Sequence, residues 1–388
     1  MRVAIVAGEM SGDYLGAGLM RELQQLYPGV EFEGIGGERM QAEGLTSLYP
    51  MEALSVMGLI EVLKHLPRLL GIRRDLINRF RREPPDLFVG VDAPDFNLTL
   101  ERRLREQGVP TVHYVSPTVW AWRQGRIRQI ARSVDRMLCI FPFEREFFRH
   151  HDVPATFVGH PLADEIPMMP DAGAAREALG LAGDATVVAL MPGSRMGEVR
   201  YLGPAFLDTA AWLLRHCGDL EFIVPCATPA IAARMRELVA AHAGGMRIRL
   251  VDGRSRECLA AADVALLASG TASLEAMLHK RPMVVAYKVS PVTGWLARRL
   301  IKVAHFAMPN LIANRRMVAE FAQQEAIPGN LGPAVLDLIE HPDKRDALVQ
   351  EFLSLHEQLR QNASASAAQA VSQLLQERGI RPQGDASP

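Results

Sequence analysis

The chain is short of most features that would announce its class. Its 388 residues carry 43 Lys plus Arg against 44 Asp plus Glu, so no excess of either sign marks a nucleic-acid binder. Cysteine is scarce. Cys139, Cys217, Cys226 and Cys258 are widely spaced and form no paired metal pattern, so buried free thiols in a reducing cytoplasm are expected. Long hydrophobic runs are missing too: the apolar opening stretch stops at Gly8-Glu9, too early for a signal peptide, and no run has the length of a membrane span. A soluble protein, or one lying on a membrane surface, is the expectation. The dinucleotide fingerprint is also absent. Gly8 and Gly12 are four apart, and Gly34, Gly36 and Gly37 lead to Arg39 where a third glycine is wanted, which counts against a dehydrogenase.

What is present is a repeating order of apolar strands and amphipathic helices. Strands are expected at Arg2–Ala7, Val30–Ile35, Leu87–Val91, Thr111–Val115, Met137–Ile140 and Thr156–Val158. After a proline-bearing linker at Ile166–Asp171 the pattern restarts, with strands at Thr186–Leu190, Leu220–Val224, Met246–Val251, Val264–Ala268 and Met283–Tyr287. Helices are expected from Met317 onward. Such alternation gives open parallel sheets covered on both faces. The expected fold class is α/β, with two Rossmann-like domains facing across a cleft, because ligands collect at the strands' carboxyl ends. The expected division is 1–166, 167–342, and a C-terminal helix at 343–388 that returns toward the first domain and ends in a frayed tail.

Two loops of the second domain invite a diphosphate. Val264–Ala268 runs into Ser269-Gly270-Thr271 and then a helix, which leaves helix-start N–H groups and two hydroxyls at the sheet edge. Glu275, one turn in, is placed to accept from ribose hydroxyls. Pro192-Gly193-Ser194-Arg195 repeats the arrangement and adds a guanidinium suited to phosphate oxygens, unless Arg195 pairs with Glu198. Pro309-Asn310-Leu311 and the polar Gln323-Gln324-Glu325 are candidates for the border of that site. In the first domain, Glu9, Ser11 and Asp13 are positioned to hold sugar hydroxyls, with helix capping as the alternative for Asp13. Asp92 is the first polar group beyond the apolar strand Leu87–Val91. It is the candidate general base, while Asp95 or Asn97 caps the helix that follows.

Trp120 and Trp122 stand in a proline-bearing loop, either to stack on a sugar or acyl chain or to pack the loop onto the core. His113 and His160 lack partners at ligand spacing, so no metal site is expected. The segment Leu54–Phe80 interleaves Leu59, Leu63, Leu66, Leu69 and Leu70 with Lys64, Arg68, Arg73, Arg74 and Arg79. Its apolar residues exceed one helical stripe. That suits helices lying on an anionic membrane surface, with core helices bearing a charged outer face as the rival.

Taken together, Gly8-Glu-Met-Ser-Gly-Asp13, Gly90-Val-Asp-Ala-Pro-Asp-Phe-Asn97, Tyr114-Val-Ser-Pro-Thr-Val-Trp-Ala-Trp-Arg123, Pro192-Gly-Ser-Arg195, Ala268-Ser-Gly-Thr-Ala-Ser-Leu-Glu275 and Pro309-Asn-Leu311 resemble the lipid-A-disaccharide synthases, bacterial glycosyltransferases. The resemblance spans nearly the whole chain, in order. It implies the two-domain GT-B architecture and an inverting reaction. UDP-2,3-diacylglucosamine and 2,3-diacylglucosamine 1-phosphate would give the β(1→6) disaccharide 1-phosphate and UDP. Asp92 matches the family's base, with Glu9 or Asp13 as candidate assistants, and Arg195 and Asn310 match positions near the donor diphosphate. No cofactor is implied. The expected partners are the two acylated sugars, the cytoplasmic face of the inner membrane and a second copy in a homodimer. The rival functions are a UDP-sugar epimerase of the same fold and a non-catalytic nucleotide-sugar-binding membrane protein.

Overall fold

The computed structural model describes the whole chain except residues 55–58, 123, 243, 291–293, 295–302 and 383–388, and the backbone alone at 59–64. The chain divides into two compact units. The first joins Met1–Asp164 to Leu359–Pro388, and the second is Glu165–Gln358.

The first unit holds a seven-stranded sheet. Its strands are β1 (Arg2–Ala7), β2 (Glu31–Ile35), β3 (Leu45–Ser47), β4 (Leu87–Val91), β5 (Thr111–Tyr114), β6 (Arg136–Cys139) and β7 (Ala155–Phe157), in the order 3-2-1-4-5-6-7. The second unit holds β8 (Val187–Met191), β9 (Glu221–Cys226), β10 (Ile248–Asp252), β11 (Val264–Ala268), β12 (Met283–Tyr287) and β13 (Ala319–Ala322), in the order 10-9-8-11-12-13. Every pairing is parallel. Strands such as β4, β8 and β11 are apolar and buried throughout because helices cover both faces of their sheet.

In each sheet the winding direction reverses once, between β1 and β4 and between β8 and β11. Ligands of doubly wound sheets bind at the carboxyl ends of such a pair, where diverging crossovers leave a crevice. The loops Gly8-Glu9 and Asp92-Ala93 leave the first sheet side by side there, since Ala7 pairs with Val91. Pro192–Arg195 and Ser269–Thr271 leave the second sheet in the same way, since Leu267 pairs with Met191.

Several elements differ from the sequence expectation. Edge strands β3 and β13 lie outside the sequence expectation, and β13 falls where that expectation has only helix. The expected single C-terminal helix is two, Pro342–Leu359 and Ala363–Glu377, broken at Asn362, whose φ is 52°. The unit boundary falls between them, so only the second belongs to the first unit. That helix covers one face of the first sheet beside the helix Met10–Leu26. Ala367, Val371 and Leu375 share a core with Val3, Ile5 and Leu19, and the Tyr27 hydroxyl meets Ser372 Oγ at 2.9 Å. The opposite face is covered by Ile72, Leu76 and Phe80, with Phe96 and Leu100.

Candidate functional site

At the first switch point the chain leaves β4 under strain. Asp92 and Ala93 have φ of 50° and 44°, a left-handed conformation that an aspartate tolerates better than most side chains and that alanine disfavours. Backbone of this kind costs about 1 kcal/mol or more per residue and persists only where the surroundings impose it. Asp92 N–H donates to Tyr114 O at 2.8 Å, and Asp92 C=O accepts from Asn97 Nδ2 at 2.8 Å. The Asp92 carboxylate is half-buried and has no hydrogen-bond or ion-pair partner among the described residues. Glu9 is exposed beside it, at the start of the helix Met10–Leu26, and its side chain caps nothing.

Asp13 requires correction. It is buried, and its two oxygens accept the amides of Gly37, Arg39 and Met40 at 2.7, 3.1 and 3.1 Å. It therefore holds the start of the short helix Glu38–Ala42 and is withdrawn as a group for sugar hydroxyls or proton transfer. Neither Asp95 nor Asn97 caps the helix Pro94–Arg105, whose N-cap is Ala93. Asp95 is exposed and pairs with Arg126 at 2.8 Å, while Asn97 binds strand carbonyls. His113 is also occupied. Its Nδ1 lies 2.6 Å from Glu101 Oε1, both side chains are fully buried, and burial pushes the Glu101 carboxyl up against the pull of the imidazole.

The two indoles divide. Trp120 is half-buried and packs edge-on against Phe143 at 4.9 Å, which in turn stacks on Phe141. Trp122 is 37% exposed, with its Nε1 donating to Thr118 Oγ1 at 3.1 Å. Beneath this loop lies Glu144, a residue with no sequence signal of its own. It is fully buried and accepts the amides of Ile140 and Phe141 at 3.1 and 3.0 Å. Burial pushes its carboxyl up to about 7, opposed by the Ser116 hydroxyl, the two amides and the Trp120 indole.

At the second switch point, Arg195 is the N-cap of the helix Met196–Cys217 and its guanidinium stands 73% exposed. Its contact with Glu198, at 3.8 Å, is too long and too wet to hold it. Glu198 has a different role. Its Oε2 accepts the amides of Ser194 and Arg195 at 3.0 and 3.3 Å, so those two donors are turned inward rather than toward a ligand. The first-turn amides of Met196 and Gly197, which have no carbonyl within the helix to reach, remain. Gly193 has φ of 131°, and a Cβ there would collide with Glu198.

In the second loop Gly270 has φ of 139° and open space where a side chain would stand, and Thr271 is exposed at the helix start. Glu275 is largely buried, with Arg256 at 4.0 Å, and burial raises its carboxyl pKa. The Ser269 hydroxyl is occupied, donating to Phe306 O at 2.8 Å. Asn310 requires a second correction. Fully buried, it donates to Val318 O at 3.0 Å and accepts the amides of Met317 and Val318 at 2.7 and 2.9 Å. This side chain ties the approach to β13 to the helix Met308–Ala313 and is withdrawn as a diphosphate contact. Gln324 is exposed just beyond β13.

The basic segment forms one helix, Leu59–Arg82, and it resolves into two halves. Ile72, Leu76 and Phe80 are core, whereas Leu66 and Leu70 are 40% and 45% exposed and Leu69 is half-buried. Arg73 faces the neighbouring helix, donating to Asp95 O at 3.3 Å and lying over the Phe96 ring. The side chains of Leu59 and Leu63 lie outside the described residues. Among the described residues no helix is long and apolar enough to cross a membrane.

Comparison with known proteins gives the family. The family model for lipid-A-disaccharide synthetase matches residues 3–372. A lipid-A-disaccharide synthase of Alkalilimnicola ehrlichii is 56% identical over 373 residues, 96% of this chain and 98% of the relative. One from Hahella chejuensis is 51% identical over 376 residues, 97% of this chain and 95% of the relative. Among solved structures, a UDP-GlcNAc 2-epimerase from Neisseria meningitidis bound to UDP-GlcNAc superposes with a TM-score of 0.62 at 12% identity, covering 97% of this chain and all of that one. A glycosyltransferase from Rickettsia africae gives 0.62 at 10% identity, covering 96% and 98%. At such low identity these two establish only the shared GT-B fold, so the epimerase reading gains nothing from them. The sequence relatives decide the matter: the chain belongs to the lipid-A-disaccharide synthase family of glycosyltransferases.

Proposed function

We propose that Asp92 is the general base of lipid-A-disaccharide synthesis, and that the loops at Gly193–Arg195 and Gly270–Thr271 take the donor's diphosphate. The enzyme condenses UDP-2,3-diacylglucosamine with 2,3-diacylglucosamine 1-phosphate, releasing UDP. In the step we assign, the acceptor's 6-hydroxyl oxygen attacks the donor's anomeric carbon as its proton passes to the Asp92 carboxylate. The bond from that carbon to the diphosphate breaks with inversion. Negative charge grows on the departing UDP, where Arg195 and the first-turn amides of Met196, Gly197, Thr271 and Ala272 stabilise it. Glu275 accepts from the ribose hydroxyls.

The observation that carries this reading is the Asp92 carboxylate, which has no partner among the described residues and is held by left-handed backbone at a switch point. Well-satisfied groups such as Asp13 and Asn310 are thereby set apart from it. Release of UDP tests the reaction: UDP should form only when the diacylated acceptor is added. UDP released from donor alone, with an epimerised sugar, would contradict transfer.

The two acylated substrates also give the exposed leucines a purpose. We infer that Leu66 and Leu70, flanked by Arg68 and Arg74, dip into an anionic membrane surface where both substrates reside.

A further inference from the structure

Asn97 lies in the first turn of the helix Pro94–Arg105 and is fully buried, yet its side chain serves the sheet. Its Nδ2 donates to Val6 O at 3.2 Å, to Val91 O at 3.4 Å and to Asp92 O at 2.8 Å. One amide group thus spans the ends of β1 and β4, the two strands that make the switch point. Its shortest bond goes to the residue proposed as the base. Gly90 leaves the space for this: a Cβ there would stand 2.9 Å from Asn97 Cβ.

We propose that Asn97 is a positioning residue for Asp92, a role that rests on the assignment of Asp92 as base. The direction of the Asp92 Cα–Cβ bond is set by the peptide planes on either side of it. The preceding plane is fixed by Asp92 N–H to Tyr114 O, and the following plane by Asn97 Nδ2 to Asp92 O. Both are needed because Asp92 and Ala93 occupy left-handed backbone without a glycine between them. Removing Nδ2 releases the second plane. The residue then relaxes toward ordinary φ, and the carboxylate swings away from the place where it meets a hydroxyl.

The test is a double-mutant cycle on the full-length enzyme, with acceptor-dependent UDP release as readout. Asp92→Asn comes first and should lose turnover while still binding UDP. If it keeps turnover, the base assignment fails and the positioning role fails with it. Given that loss, Asn97→Ala should lower kcat by about 10- to 100-fold, a misplaced-group effect. KM for each substrate should stay within about twofold, since no binding group has gone. Adding Asn97→Ala to Asp92→Asn should change nothing further. A loss of equal size in both backgrounds would overturn the proposal, as would a loss confined to KM. If Asn97→Ala does not fold, Asn97→Ser, which keeps one donor, is read in the same cycle. If Asp92→Asn turns over too slowly to measure, amide hydrogen exchange decides. The backbone amides of Phe96 and of position 97, which donate to Ala93 O just beyond the released plane, should exchange faster in the Asn97 variant with UDP affinity unchanged, and unchanged exchange at both would overturn the proposal.

Discussion

A carboxylate that folding takes out of water must find donors or give up its charge, and the first unit contains both outcomes. Asp13 finds three backbone amides. Glu144 finds two, and burial still pushes it up to about 7. Its folded-state pKa lies above the ordinary carboxyl value of 4.5, so between about 4.5 and 7 the folded chain holds more protons than the unfolded one. Its contribution to stability is therefore full below pH 4.5 and is lost as pH rises through 7. Glu144→Gln should remove a falling slope on the order of 3 kcal/mol across that window, read as the difference between variant and parent in urea titrations at several pH values. These partnerships also explain what the sequence leaves hidden. A polar residue just past an apolar strand is easily seen, and Asp92 stands out on that ground alone. Whether such a side chain turns outward or ties down backbone depends on partners far along the chain: Asp13 meets residues 24 to 27 positions away, and Asn97 meets Val6, 91 positions away. Asn310 is hidden similarly, because its neighbours Met317 and Val318 become neighbours only through a left-handed turn at Asn314.

The helix Leu59–Arg82 combines two environments in one continuous pattern of leucine and arginine. Periodicity reveals the helix but cannot assign its halves, since exposed Leu66 and Leu70 read the same as buried Ile72 and Leu76. Substitution separates them. Leu66→Ser with Leu70→Ser should change folding stability by about 0.5 kcal/mol or less while weakening sedimentation with vesicles of anionic lipid. Leu76→Ser should cost several kcal/mol, on the order of a large-to-small core change, with no independent effect on vesicle binding once folded protein is compared. Equal vesicle binding by the double variant would remove this helix from the membrane contact. The turn Pro192–Arg195 behaves as a second element with its own internal strut. Glu198→Ala frees the Ser194 and Arg195 amides and loosens the loop, so KM for the UDP-sugar should rise about tenfold, roughly the loss of one charge-assisted hydrogen bond. Edge strands β3 and β13 escape a sequence reading for a simpler reason. Leu45-Thr-Ser47 and Ala319-Glu-Phe-Ala322 are too short to show a period, and each is fixed by one neighbouring strand.

In the molecule as a whole, the chain begins and ends in the same unit. The α/β alternation makes both sheets legible from the sequence, but the division of the C-terminal helices is not, because the break at Arg360–Asn362 carries neither proline nor glycine. Deleting residues from 363 onward strips Val371, Leu374, Leu375 and several alanines from the first unit's core. At roughly 1.5–3 kcal/mol per large apolar side chain this rivals the whole margin of a domain. Calorimetry should show the first unit's transition lost and the second unit's retained. The most direct test of the account as a whole remains Asp92→Asn, assayed for acceptor-dependent UDP release and, separately, for UDP binding. Turnover should fall by at least about 100-fold, the scale of a lost general base, while UDP binds as before. Turnover within a few-fold of the parent, or loss of UDP binding in step with loss of turnover, would contradict it.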